Sequence, residues 1–252
     1  MSETNLKEIA VVIPVYKRSF DQIEERNVTH NLRLLGKLPV FWVTKETLDV
    51  SYYRKRYPGL PFVRYPDRFF DGLKGYNKLM LSEQFYMKFQ EYRFICICQP
   101  DVLLLKGGEA LEPFLTMPYD YIGAPWLPKD HITVLPDRNK IQKLINLFLP
   151  KYDVEVGNGG FSLRRTERTL SLLRKWRRFV RIWPHYEDYF FAYMGRYRDL
   201  NYRIAPVETA MQFSLESRSR ELIESGAASP VGVHAYQKYY PDLWDEIKGE
   251  MK

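Results

Sequence analysis

Four short stretches of the chain carry side chains able to do chemistry. FICICQPDV ends an apolar run on Asp101. Ligands of open α/β sheets bind beyond the carboxyl ends of strands. A carboxylate there could hold a divalent cation that bridges two phosphates through hard oxygen ligands, or simply turn the chain at Pro100. VGNGGFSLRR (Val156–Arg165) sets three glycines around Asn158. Glycine permits positive φ or close backbone approach, so this stretch reads as a tight turn or ligand loop. The GxxxxGK[ST] spacing of a P-loop is absent. HYEDYFF (His185–Phe191) places Glu187 and Asp188 among aromatic rings. One carboxylate, its pKa raised by burial, could act as a general base toward a hydroxyl. The pair also suits a helix N-terminus, where acids are favoured. Last, PVGVHAYQKYY holds His234 in an apolar run, as a core histidine or as a partner of Asp101.

The elements that must position these groups follow from apolar patterning. Ile9–Tyr16 is an unbroken apolar run, as in a strand buried on both faces of a parallel sheet. A helix is expected over Phe20–Leu35, started by Ser19 and stopped by Gly36. Further strands are expected at Pro39–Thr44, Leu60–Pro66 and Arg93–Leu105, the last broken at Pro100, and helices at Leu48–Tyr57 and Asn77–Tyr92. Strand–helix alternation predicts a doubly wound, mostly parallel sheet flanked by helices. After residue 107 the loops become rich in Pro and Gly. Helices are expected near 139–148 and over Thr166–Arg181, with the glycine turn between them. This gives one domain over 1–252, with halves at about 9–106 and 107–240 sharing one core.

With 252 residues and 45% hydrophobic content, the chain can bury a large core, and 19 Tyr, 15 Phe and 5 Trp are available for packing or for stacking on sugars. A net charge of +7 suits a phosphate-bearing partner: nucleic acid, an anionic membrane or a nucleotide-sugar. Cys96 and Cys98, two apart in a strand, face the same side and read as buried free thiols of a reducing cytoplasm. MSETNLKEIA has no apolar leader core, and no stretch nears the roughly 20 apolar residues of a membrane span, so a soluble or peripheral protein is expected. Over Thr166–Trp183, Leu170, Leu173, Trp176, Phe179 and Trp183 recur at helical spacing. Arg164, Arg165, Arg168, Arg174, Lys175, Arg177, Arg178 and Arg181 surround them. That pattern suits either a core-facing surface helix or one lying on an anionic membrane.

Taken in order, IPVY, Asp101, GNGGFSLR, the Glu187–Asp188 pair and GVHAY resemble nucleotide-sugar glycosyltransferases of the GT-A fold. More narrowly they resemble a bacterial group of such proteins classed under a domain of unknown function. The likeness runs from about Ile9 to Tyr240, and GNGGFSLR followed by EDYFF is its most specific part. It implies a nucleotide-sugar donor and a glycan or lipid-linked glycan acceptor. By position, Pro14 and Tyr16 match the strand end that meets base and ribose. Asn77 and Lys78 match a helix start facing the donor. Gln99 and Asp101 stand at the DxD motif; Asn158, Gly159 and Gly160 match a loop beneath donor sugar and acceptor. Asp188 or Glu187 matches the base of inverting members, and His234 with Asp101 matches the site of a divalent metal such as Mn²⁺ or Mg²⁺. Gln99 departs from the pattern, being a neutral amide where the first Asp of DxD stands. Lys78, Arg164 or Arg165 could offset the diphosphate charge instead. A nucleotidyltransferase is the competing enzyme class, although YKRSFDQ after the first strand lacks the glycines that cradle a triphosphate. A nucleic-acid-binding protein is suggested by charge alone and has no module signature.

Overall fold

A computed structural model describes residues 7–133, 140–146 and 148–250. The elements are β1 (Lys7–Pro14), α1 (Gln22–Leu35), β2 (Val40–Lys45), α2 (Ser51–Arg56), β3 (Phe62–Tyr65), α3 (Gly72–Met80), α4 (Glu83–Met87), β4 (Tyr92–Cys98), β5 (Val102–Leu104) and α5 (Glu112–Thr116). They continue with β6 (Tyr121–Ile132), α6 (Lys140–Asn146), β7 (Tyr152–Arg165), α7 (Thr166–Lys175), α8 (Arg177–Ile182), α9 (Glu187–Tyr193), α10 (Val207–Phe213), β8 (Ser214–Leu215), α11 (Ser219–Glu224), β9 (Gly232–His234), α12 (Tyr236–Tyr239) and α13 (Leu243–Glu250). The expectations for Met1–Leu6, Asn139 and Leu147 fall outside the described residues.

The main sheet has the order β3-β2-β1-β4-β7-β6. Strands β3, β2, β1 and β4 pair in parallel, and β7 and β6 extend the sheet antiparallel, so the mostly parallel α/β sheet is borne out. β1 reads as apolar throughout because each face is covered. Ile9, Val11 and Ile13 enter a core with Val28 and Leu35 of α1. Ala10 and Val12 enter another with Leu79, Phe85 and Phe190 of α3, α4 and α9. Each buried Val or Ile contributes about 1.5–3 kcal/mol. Cys96 and Cys98 share the α1 face and are free and buried, as their spacing implied.

The chain departs from the expected elements at five places. The run Arg93–Leu105 is broken at Pro100 as expected, into β4 and β5, but β5 leaves the main sheet to pair antiparallel with β9. The single helix expected over Asn77–Tyr92 is two, because the Ser82 side chain caps a new start by accepting from Phe85 N. The basic helix also divides, at Trp176, into α7 and α8. The glycine stretch is no turn: Val156–Arg165 lies inside the fourteen-residue strand β7. The helix after β1 starts later than expected, at Gln22, where Asp21 and Glu24 form a reciprocal capping box. It ends as expected at Gly36, whose φ of 59° glycine adopts freely.

Candidate active site

The strand order reverses direction beside β1: β2 and β3 build to one side of it, and β4 returns to the other. Such a switch point leaves a crevice beyond the carboxyl ends of the two strands. A cavity of about 530 Å³ opens there. Pro14 and Tyr16 line it from β1, Gln99 and Asp101 from β4, and Phe70 and Tyr76 from the segment leading into α3 and from α3 itself. The rings present apolar faces, and Glu24 and Asp101 contribute carboxylates. Four of the residues singled out from sequence thus share one wall.

Asp101 leads to the second half of the site. Its carboxylate lies 3.4 Å from His234 Nε2, and Glu216 lies 3.7 Å from His234 Nδ1, an ion-pair distance longer than a hydrogen bond. Burial alone would lower the His234 pKa, but the flanking Asp101 and Glu216 carboxylates outweigh it and raise it to about 10. Asp101 moves the opposite way: burial pushes its carboxyl up, and the imidazolium pulls it below its ordinary value. The two shifts describe one charged pair. Glu216 also accepts a hydrogen bond from Asn158 Nδ2, which ties β7 to the segment after β8.

The glycines of β7 exist for close packing. A Cβ on Gly160 would sit 2.3 Å from His234 Nε2, and one on Gly159 2.5 Å from a Glu187 carboxylate oxygen. Both lie below any real Cβ contact, so the glycines let His234 and Glu187 cross the strand.

The acidic pair separates into two roles. Glu187 pairs at 3.0 Å with Arg164 Nη2, and both side chains are buried. Arg164 further donates to the Tyr86 hydroxyl at 3.0 Å and to Ser162 Oγ at 3.1 Å, so its guanidinium is spent inside the core rather than on a diphosphate or a membrane. Among the described residues Asp188 has no cationic partner within ion-pair distance. Its Oδ1 accepts from Tyr189 N at 2.8 Å, and burial followed by the neighbouring Glu187 charge pushes its carboxyl well above the usual range. Glu216 acts in the same direction, and the Asp188 backbone lies against Gly157, next to Asn158. Trp126 and Tyr189 stack at 4.8 Å beside it.

Asn77 and Lys78 fall in the later part of α3, not at its start. The Asn77 side chain turns away from the cavity, with Oδ1 accepting from Glu187 N at 2.6 Å, and so fixes the beginning of α9. Lys78 is exposed and is not among the cavity lining. Arg165 pairs with Asp120 at 3.1 Å. Of the two readings of the apolar stripe, the core-facing one holds: Leu170, Leu173 and Trp183 are buried, and Trp176 and Phe179 pack on the same core.

The donor set does not fit a bound metal. Both ring nitrogens of His234 face carboxylates, Gln99 offers only an amide, and among the described residues no group of three His, Cys, Asp or Glu side chains is arranged to hold an ion. Sequence reasoning missed Glu216, for which SLESRSR carries no distinguishing signal, and Tyr76, one residue from the expected Asn77.

The fold is that of the GT-A glycosyltransferases. Apo mouse xyloside xylosyltransferase 1 superposes with a TM-score of 0.54 at 13% identity, over 90% of this chain and 97% of that one. Galactosyltransferase LgtC with donor and acceptor sugar analogues gives 0.52 at 10%, over 96% and 95%. Apo glycosyltransferase GlyE of Streptococcus pneumoniae TIGR4 gives 0.51 at 10%, over 91% of this chain and 54% of that one. No curated protein matches the sequence. Residues 59–234 match the family model described as "Protein of unknown function (DUF5672)", and the chain belongs to that family.

Proposed function

We propose that this protein is a nucleotide-sugar-dependent glycosyltransferase with inverting chemistry. The observation that carries the reading is the cavity at the β1/β4 switch point, whose lining residue Asp101 is linked through His234 and Glu216 to Asn158. The nucleoside lies on Pro14, Tyr16, Phe70 and Tyr76, and the diphosphate reaches Gln99 and Asp101. The imidazolium of His234 offsets negative charge that Asp101 and Glu216 would otherwise present to the leaving diphosphate. A glycan or lipid-linked glycan acceptor enters on the other side, along Asn158, Gly159 and Gly160.

In the reaction the acceptor oxygen attacks the anomeric carbon while the bond from that carbon to the diphosphate breaks. The acceptor proton passes to the Asp188 carboxylate, and the nucleoside diphosphate leaves. A raised carboxyl pKa makes Asp188 a stronger base than an exposed aspartate, which is what a hydroxyl of high pKa requires. Glu187, neutralised by Arg164, holds α9 in place and takes no proton.

The competing nucleotidyltransferase reading finds less support at α1. There Asp21 and Glu24 occupy the free N–H groups of the first turn, which a triphosphate would otherwise take. A thermal-shift panel of nucleotides and nucleotide-sugars, run with and without Mn²⁺, tests the assignment. A nucleoside diphosphate and its sugar conjugate should raise the melting temperature, by mass action on the folded state. Stabilisation by triphosphates alone would favour the nucleotidyltransferase, and no response to any nucleotide would remove both.

A further inference from the structure

Helix α6 presents an apolar face to solvent. Ile141, Leu144, Ile145 and Phe148 recur at i, i+3, i+4 and i+7, the spacing of one helical stripe. They are 70%, 59%, 44% and 83% exposed. On a protein whose other apolar helical stripes are packed, four large side chains gathered in eight residues form a patch of the kind that marks a docking site.

The surroundings say what covers it. Over residues 140–151, KIQKLINLFLPK, there are three lysines and no acid. The stretch connects β6 to β7, and at the end of that ladder Ile132 pairs with Tyr152. The Tyr152 ring meets Tyr193 at 5.0 Å, and Tyr193 packs on Phe179 and Trp183, which brings α8 to the same end. The His185 ring bonds the Thr133 carbonyl there as well. The outer side of α8 is Arg177, Arg178 and Arg181, followed by Ile182, which is 73% exposed. Among the described residues none of Lys140, Lys151, Arg177, Arg178 and Arg181 forms an ion pair, whereas Arg168, Arg174 and Lys175 on the adjoining α7 are all paired. One end of the molecule therefore joins an apolar ridge to five unpartnered cations.

We propose that this end docks on an anionic lipid bilayer. Helix α6 lies in the interface with its apolar stripe toward the acyl chains, and the Lys and Arg side chains reach the headgroup phosphates. An amphipathic segment with cations flanking large apolar side chains gains from both terms, and either alone holds a protein only weakly. A protein surface would satisfy the apolar ridge but would need a matching run of acids for the cations, and a second copy of this chain offers cations again. The inference goes beyond the transferase reading and does not require it. It identifies α6 and the outer side of α8 as the membrane-facing surface, in place of the inward-facing stripe of α7.

Vesicle flotation tests it with the intact chain. Vesicles of phosphatidylcholine mixed with phosphatidylglycerol should carry the protein upward, and vesicles of phosphatidylcholine alone should carry at least about tenfold less. Leu144→Glu with Phe148→Glu should lower flotation on the mixed vesicles by about tenfold or more, and Arg178→Glu with Arg181→Glu should do the same through charge alone. All four positions are solvent-facing, so the melting temperature of each variant and its thermal-shift response to nucleotides should stay at the wild-type values. Failure of the wild type to float on anionic vesicles overturns the proposal, as does undiminished flotation of the Leu144/Phe148 variant. A wild-type dimer in sedimentation that Phe148→Glu converts to monomer also overturns it, by showing the ridge to be an interface between copies. Because none of these readouts involves sugar transfer, loss of the membrane surface and loss of the transferase reading are separable results.

Discussion

The two sides of the cleft are built on different principles. The β1/β4 side needs only parallel strands in register: Val11 pairs with Cys96 and Val12 with Ile97, and Pro14, Tyr16, Gln99 and Asp101 emerge at the strand ends as a consequence. Its cavity is walled by rings and the carboxylates of Glu24 and Asp101. The β7/α9 side depends on charges taken out of water. Arg164 and Glu187 are buried together, and His234 is clamped between Asp101 and Glu216. The first side is tolerant of substitution and the second is not, because an unpaired buried charge costs far more than a lost van der Waals surface.

Asp188→Asn tests that contrast with the largest expected change. Transfer should fall by about 10²–10⁴-fold, the usual contribution of a general base, while nucleotide affinity on the opposite wall stays the same. Stability should move the other way. A carboxyl whose folded pKa is raised gives stability that is present below its unfolded pKa and is lost as pH rises toward and through the folded value. At neutral pH the wild type has therefore lost this contribution in whole or part, and asparagine removes the dependence. The melting temperature of the variant should equal or exceed that of the wild type, with a gap that widens from pH 5 to pH 8. Full transfer activity would exclude Asp188 as the base.

Arg164→Met comes next. It leaves Glu187 buried without its cation, which costs about 3–5 kcal/mol. Removing the second charge as well, in Arg164→Met with Glu187→Gln, should recover much of that loss. If the double variant is as unstable as the single one, the guanidinium matters for its bonds to Tyr86 and Ser162 and not for the ion pair.

The same contrast explains what was legible in the sequence. β1 and β4 were readable because a strand covered on both faces has to be apolar at every position, and the residues that line the cavity stand at the ends of such strands. The glycines of β7 were misread because composition alone makes Gly a turn signal. Their cause lies in His234 and Glu187, which are far along the chain and meet the strand only after folding. Arg164 was misplaced for a related reason: in a run of basic residues nothing marks the one that is taken inside. Glu216 had no local signature, since its partners Asn158 and His234 lie on two other elements. The break at Ser82 was in principle visible, as a cap residue followed by Glu83 in the first turn of a new helix.

Gly160→Ala should produce a smaller effect on the same side. The added methyl meets the His234 ring at 2.3 Å, so the ring must move and its contact with Asp101 lengthens. Overpacking of this kind costs about 1–3 kcal/mol. On the proposed reading nucleotide-sugar affinity should fall along with stability, since the displaced imidazolium no longer offsets the Asp101 charge. A stability loss without any change in donor affinity would separate His234 from the donor.

The smallest expected effect belongs to the tolerant wall, at Tyr16. Its ring is largely exposed and lines the cavity from the end of β1, with Lys17 over its face. Tyr16→Ala removes a stacking surface and no core contact, so the melting temperature should not change. Loss of a single ring–base contact is worth about 0.5–1.5 kcal/mol, which is roughly a three- to tenfold rise in the dissociation constant of any nucleotide that binds. Calorimetry with the free nucleoside monophosphate and with the nucleotide-sugar should give the same factor, because the contact is to the base or ribose common to both. A larger loss for the sugar conjugate would mean that Tyr16 touches the transferred sugar, and that the donor lies in the cleft in the opposite direction.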